Sequence, residues 1–171
     1  MSVKSGLPPI APRDARLFIL GSLPGDASLS AQRYYAHPTN QFWQLLGAAI
    51  DEPLAAASYD VRLQCLARRR IGLWDVIASA SRPGSLDQSI RLAQHNRIDQ
   101  LLADFPDLRA IAFNGTTAAG IGRRLVGTLP DGIALIDLPS SSAANTRPFA
   151  EKLAAWTRLA EYAGADHIGG R

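Results

Sequence analysis

At 171 residues the chain has the length of one domain and can bury a substantial core; hydrophobic content of 47% and charged content of 19% are ordinary for a globular protein. Its single cysteine, Cys65, excludes a disulfide framework, a Cys-rich zinc site and a four-cysteine iron–sulfur cluster within one chain. A net charge of +3 permits nucleic-acid binding without demanding it, and the arginines at 68–70 and 123–124 read first as solvated helix surface.

The three histidines, His37, His95 and His167, have no HExxH or comparable ligand spacing, so no metal and no cofactor is expected. No apolar run has signal-peptide or membrane-spanning length, which points to a cytoplasmic protein without a membrane partner.

In chain order, residues 1–14 are rich in Pro and small residues and read as a loose lead-in. Leu17, Phe18, Ile19 and Leu20 are apolar without alternation, the pattern of a strand buried on both faces. Residues 21–40 follow with two prolines, two glycines and no periodicity, long for a loop in a small domain. Disorder depletes aromatics, whereas this stretch is dense in Tyr, His and Asn, so it reads as an ordered site loop closing on a helix near Gln41. That helix carries Phe42, Leu45, Leu46, Ala49 and Ile50 at helical spacing.

Ser58 is positioned to cap a second helix running towards Arg70. Residues 71–77 read as a strand entering a Ser/Pro/Gly loop over 78–85. Asn96 is a candidate cap for a helix with Ile98, Leu101, Leu102 and Phe105 on its apolar face. Residues 110–113 form a strand ending in Asn114-Gly115, and a helix through Ala118, Ile121 and Leu125 follows. The last strand spans 133–138 and leads into Pro139-Ser140-Ser141-Ser142; Thr146 then opens a final helix bearing Phe149, Leu153, Trp156 and Ala160. Residues 165–171 read as a flexible tail.

Strands alternating with helices imply right-handed crossovers and helices on both faces of the sheet. The expected fold is therefore α/β, a three-layer α/β/α sandwich around a central, mostly parallel four-stranded sheet. In such sheets ligands bind beyond the carboxyl ends of the strands. All four strand-exit loops carry polar residues and should converge on one cleft.

GSLPG at a fixed distance from YYAHPTNQFW resembles the first motif region of the uracil-DNA glycosylase superfamily. With GLWDVI, SRPGSLDQSI, FNG and LPSSSAAN at the other strand exits, the resemblance is closest to the hypoxanthine-DNA glycosylase branch and runs from about Leu17 to Trp156. It implies one glycosylase domain over 1–171, acting as a monomer on single- or double-stranded DNA that contains a deaminated base. Leu23 stands where mismatch-specific relatives hold a catalytic asparagine, and Leu138 where the uracil enzymes hold a histidine. The resemblance then makes Asn40 the catalytic residue, although an asparagine before Gln41 is also a good helix cap.

A glycosylase flips the nucleotide out, stabilises charge on the leaving base and aims water at the sugar. An amide can orient water through its carbonyl or donate through its NH₂. Tyr35 falls where relatives stack an aromatic on the flipped base, and one of two adjacent tyrosines is equally a core filler. Ser22, Leu23, Asp75 and Asn114 complete the expected base pocket; Asp75 and Asn114 also read as local loop or turn residues. Ser140, Ser141, Ser142 and Asn145 lie where the superfamily grips the DNA backbone, with Ala143 and Ala144 making a weak wedge. The expected activity is monofunctional excision of hypoxanthine or uracil in base excision repair. A mismatch-specific uracil/thymine glycosylase and an inactive nucleic-acid binding module are the rivals.

Overall fold

The computed structural model describes residues 2–165. The chain runs through β1 (Val3–Ser5), β2 (Leu17–Gly21), α1 (Asp26–Ala31), α2 (Phe42–Ile50), α3 (Tyr59–Arg68), β3 (Ile71–Asp75) and β4 (Ile77–Ser81). It continues with β5 (Arg91–His95), α4 (Leu101–Asp104), β6 (Ala110–Asn114), α5 (Thr116–Val126), β7 (Ala134–Leu138) and α6 (Phe149–Trp156). Strands β3, β2, β6 and β7, in that spatial order, form a wholly parallel sheet.

The unalternating apolar strands follow from a core on each side. Leu17, Ile19, Ile71, Leu73, Ala110 and Ala112 face a cluster completed by α2, α3 and α6. Phe18, Leu20, Ile111 and Phe113 face the opposite cluster, which includes Ala118 and Val126 of α5. Successive side chains on a strand point to opposite faces, so both halves of each strand's pattern must be apolar here. Gly72 is required by this packing, since a Cβ there would stand 2.5 Å from the Phe18 ring. The expected three-layer α/β/α sandwich is what the chain adopts.

A second, antiparallel sheet in the order β1-β4-β5 departs from the sequence reading. After Asp75 the chain leaves the parallel ladder; Val76 N–H donates to Gly21 C=O at 2.9 Å and Ile77 N–H to Ser22 C=O at 3.1 Å. Part of the expected 78–85 loop is therefore β4, and β5 was not foreseen because Arg91, Leu92, Gln94 and His95 are exposed and lack an apolar face. The lead-in is not loose. Val3–Ser5 pairs with β4, Leu7 is buried and Ile10 bridges Leu73, which satisfies polar edges that would otherwise be open.

The site loop also contains α1, one short helix with Ser28 as its buried residue and hence no apolar stripe to read. Ser58 caps α3 as expected, accepting from Val61 N–H at 3.3 Å. Asn96 does not cap a helix: its Nδ2 donates to Asp75 C=O at 2.8 Å, and α4 follows a 3₁₀ turn over Ile98–Gln100. The final helix begins at Phe149 rather than Thr146, because Pro148 with φ −57° occupies the cap position. The tail expected over 165–171 lies, apart from Ala165, outside the described residues.

Candidate active site

Because all four central strands are parallel, Gly21, Asp75, Asn114 and Leu138 end on the same edge of the sheet. The loops beyond them enclose a cavity of about 740 Å³. Every residue anticipated for the site lines it: Ser22, Leu23, Tyr35, Asn40, Asp75 and Asn114 on one part, Ser140, Ser141, Ser142 and Asn145 on another. Gly21 sets the closeness of the wall, since a Cβ there would stand 2.6 Å from Asp75 Oδ1 and 3.0 Å from Tyr35 Oη.

Asn40 is held from two directions. Its Oδ1 accepts from Phe42 N–H at 2.9 Å, the first residue of α2, and from Ser141 Oγ–H at 2.8 Å. A backbone N–H requires an acceptor, so this contact fixes which end of the amide is oxygen. Both carbonyl lone pairs are spent within the protein, and Nδ2 is without a partner among the described residues. Of the two roles open to the amide, donation by Nδ2 is the one this geometry leaves available. Gln41 holds the cap position of α2, and Asn40, one residue before it, supports the helix start through Oδ1 while Nδ2 stays free to donate.

Ser141 joins the loops. It is fully buried, and its N–H donates to Asn114 Oδ1 at 2.9 Å. Its Oγ accepts from Asn114 Nδ2 at 2.9 Å, and its C=O accepts from Gln41 N–H at 2.9 Å. This corrects the expectation that Ser141 meets DNA, since its hydroxyl and both its backbone polar groups are engaged internally. Asn114 is likewise committed: its remaining Nδ2 hydrogen goes to Tyr35 Oη at 3.2 Å. Asn114 shapes the pocket and has no donor left with which to read a base.

Tyr35 adopts the left-handed conformation, φ 54°, at a sharp turn in the chain. Its ring lies flat on Phe42, with centroids 3.8 Å apart and planes 5° off parallel. Phe42 and Trp43 are buried, as their helical spacing implies. One face of Tyr35 is thereby covered by protein, and the ring lines the cavity. Burial pushes its hydroxyl pKa upward, and the Asp75 charge adds to that. His37 is exposed and accepts from Thr39 N–H at 3.1 Å, bracing the loop.

Beside the Tyr35 hydroxyl, Asp75 is 4% exposed, and its Oδ2 has no hydrogen-bond partner among the described residues. Burial, with the Asp87 charge beside it, pushes this carboxyl up to about 7, against a lowering by Arg82. Arg82 is buried and was not foreseen from sequence. It donates to Leu23 C=O at 3.3 Å and to Pro24 C=O, clamping the GSLPG turn. Asp87, 3.7 Å from Arg82 Nη1, accepts from Ser22 Oγ–H at 2.6 Å, so the Ser22 hydroxyl faces protein. Leu23 borders the cavity but packs into the apolar cluster at 6% exposure.

The 139–145 loop is self-supporting. Ser140 Oγ accepts from Ser142 N–H at 3.1 Å and Ser142 Oγ from Ala144 N–H at 3.2 Å. Asn145 Nδ2 donates to Ser140 C=O at 3.1 Å. Ser140, Ser142 and Asn145 are all partly exposed. Lys152 of α6 anchors the loop from beneath: it is 1% exposed and donates to Gln41 Oε1 at 2.8 Å and to Ser142 C=O at 3.4 Å. Burial lowers its pKa. A lone lysine in a helix gives no sequence signal for such a post.

The family model for the Uracil DNA glycosylase superfamily matches residues 8–162. The chain belongs to the uracil DNA glycosylase superfamily. It is 38% identical over 153 residues to a Methanosarcina barkeri protein named hypoxanthine DNA glycosylase, covering 90% of this chain and 95% of that one. It is 42% identical over 145 residues to a Methanosarcina acetivorans protein of the same name, covering 85% and 90%. A solution NMR structure of a candidate uracil DNA glycosylase from M. acetivorans superposes with TM-score 0.79 at 40% identity, over 92% of this chain and 99% of that one. The cluster of Asn40, Tyr35 and Asp75 lies in the strand-end cavity.

Proposed function

We propose that the chain is a single-domain, monofunctional DNA glycosylase that hydrolyses the N-glycosidic bond of a deaminated base, with hypoxanthine as its preferred substrate. The observation that carries this reading is the oriented amide of Asn40, whose Oδ1 is locked by Phe42 and Ser141 and whose Nδ2 is left to donate in the cavity. A donor there holds a water through its oxygen, or stabilises charge developing on the departing base. Tyr35, backed by Phe42, offers a rigid platform, and base–aromatic stacking contributes about 1–3 kcal/mol.

Among the described residues no lysine lines the cavity and the Lys152 amine is engaged by Gln41 and Ser142, which supports a monofunctional reading over a Schiff-base lyase step. Hypoxanthine is favoured because the small residues Gly21, Ser22, Gly25, Gly115 and Ser140 leave room for a purine. The names of the two Methanosarcina relatives agree with this choice. Its oxygen accepts where adenine carries an amino donor, so a pocket donor that meets this oxygen would reject adenine. Such an unpaired contact costs about 1–3 kcal/mol. Inosine pairs are also cheaper to open than matched adenine pairs. The protein acts in this reading as a monomer on chromosomal DNA in the cytoplasm.

Single-turnover rates on identical duplexes carrying deoxyinosine, deoxyuridine, deoxyxanthosine or mismatched thymine test it. Fastest release of hypoxanthine is expected. Faster release of uracil moves the protein to the mismatch-specific class, and binding without product leaves only a nucleic-acid binding module.

A further inference from the structure

Asp75 is the feature of the cavity that the reading above leaves unused. Its position is set by the sheet: it pairs in register with Gly21, and the absence of a side chain there lets its carboxyl approach the β2 exit. Asn96 ties its backbone carbonyl, and the turn into β4 begins at Val76, so the residue cannot swing away. Tyr35 Oη crowds the same point above Gly21 as Asp75 Oδ1 does. A base stacked on Tyr35 therefore brings a ring edge to this carboxyl. Oδ2 is buried and has no hydrogen-bond partner among the described residues. An unsatisfied buried carboxyl is costly and is retained in native structures where it has another use.

The groups around it decide its ionisation. Asp87, from the 3₁₀ turn after the β4 exit, disfavours a negative charge, and Arg82, at the end of β4, favours one; Tyr34 and Tyr35 also face the carboxyl, but their ionisation is pushed upward and they stay neutral beside it. Arg82 is shared, since it lies 3.7 Å from Asp87 and also holds two carbonyls of the GSLPG turn. Burial is the largest influence, and the carboxyl loses its proton only near pH 7. A general acid is most effective when its pKa lies near the working pH.

We propose that Asp75 is a catalytic residue for purine release, its buried carboxylic acid giving a proton to N7 of hypoxanthine as the C1′–N9 bond breaks. This rests on the hypoxanthine reading above. The bonding pair of C1′–N9 goes to the base, which leaves as neutral hypoxanthine carrying its new hydrogen on N7. Water adds to C1′ and releases its proton to solvent, and the Asp75 carboxylate is reprotonated from solvent before the next turnover. Uracil has no N7, so its excision gains nothing from this acid. One carboxyl thereby adds a chemical preference for purine release to the room that the small lining residues leave for a purine.

Single-turnover rates of the full chain on a deoxyinosine duplex, from pH 5.5 to 9, test the proposal together with Asp75→Asn and a duplex carrying 7-deaza-2′-deoxyinosine. The parent rate should be level in acid and fall about tenfold per pH unit above a midpoint near 7. Asp75→Asn, its folding checked by thermal melting, should lose that falling limb and be slower in acid by about a hundredfold or more. The parent should cleave the 7-deaza duplex at least about a hundredfold more slowly and without the limb. The analogue arm uses the unaltered chain, so it decides the matter even if the variant does not fold. A flat parent profile, a limb that survives Asp75→Asn, or undiminished cleavage of the 7-deaza duplex would overturn Asp75 as the acid while leaving the glycosylase reading intact. Cleavage of deoxyuridine with none of deoxyinosine at any pH would overturn the hypoxanthine reading and this inference with it.

Discussion

Replacing Asn40 with aspartate isolates the end of the amide on which the catalytic reading depends. Aspartate keeps an oxygen where Oδ1 accepts from Phe42 N–H and Ser141 Oγ–H, and it replaces the Nδ2 donor by a second acceptor. The nine-residue helix α2 begins two residues on, so the new negative charge lies at a helix N-terminus, where it is favoured by about 0.3–1 kcal/mol. Stability should therefore change by no more than about 1 kcal/mol. The lost donor should lower single-turnover cleavage of a deoxyinosine duplex by about a hundredfold or more, equivalent to about 2.7–4 kcal/mol of transition-state stabilisation.

Asn40→Ala makes the contrast. It removes the acceptor of the Phe42 N–H at the start of α2, about 1 kcal/mol, and leaves the buried Ser141 hydroxyl without its acceptor, about 1–3 kcal/mol more, so it should lose activity and stability together. The assay is strand scission at the abasic product with enzyme in excess, alongside thermal melting of both variants. Cleavage by Asn40→Asp within a few-fold of the parent would refute the assignment of Nδ2 as the working group.

Asp75 gives a pH signature in stability as well as in rate. An exposed aspartate ionises near pH 4 and Asp75 in the fold near 7, so between these the folded chain holds a proton that the unfolded chain has lost. Stability should fall as pH rises through that window, by up to about 4 kcal/mol, and denaturant melts of Asp75→Asn should show the decline abolished. Lys152→Met should leave Gln41 Oε1 and the Ser142 carbonyl unpaired beneath the 139–145 loop, costing about 1–3 kcal/mol. Titration of an uncleaved duplex should show weaker binding, and unchanged affinity would count against an anchoring role. Leu23→Asn places an amide in the apolar cluster at a site 6% exposed, so a loss of about 1–3 kcal/mol is expected, with no gain in uracil excision. A stable variant with faster uracil release would show instead that position 23 presents its side chain to the base.

The sequence by itself determined the layered sheet and the place of the cavity. Strands apolar at every position can be buried only between two helix layers, and parallel strands bring all their exits to one edge, so Leu17 to Leu20 and Ala110 to Phe113 carry the architecture in their composition. Asn40 and Tyr35 were legible because the loop motifs that hold them are contiguous. Tertiary structure alone decided what each polar group does. Asn40 and Ser141 stand 101 residues apart, and nothing in either neighbourhood says that the serine is buried or that it fixes the amide. Arg82, Lys152 and the unpartnered oxygen of Asp75 were illegible for the same reason. Periodicity reports which way a side chain points within its own element; burial and hydrogen-bond satisfaction depend on partners that only the closed fold supplies.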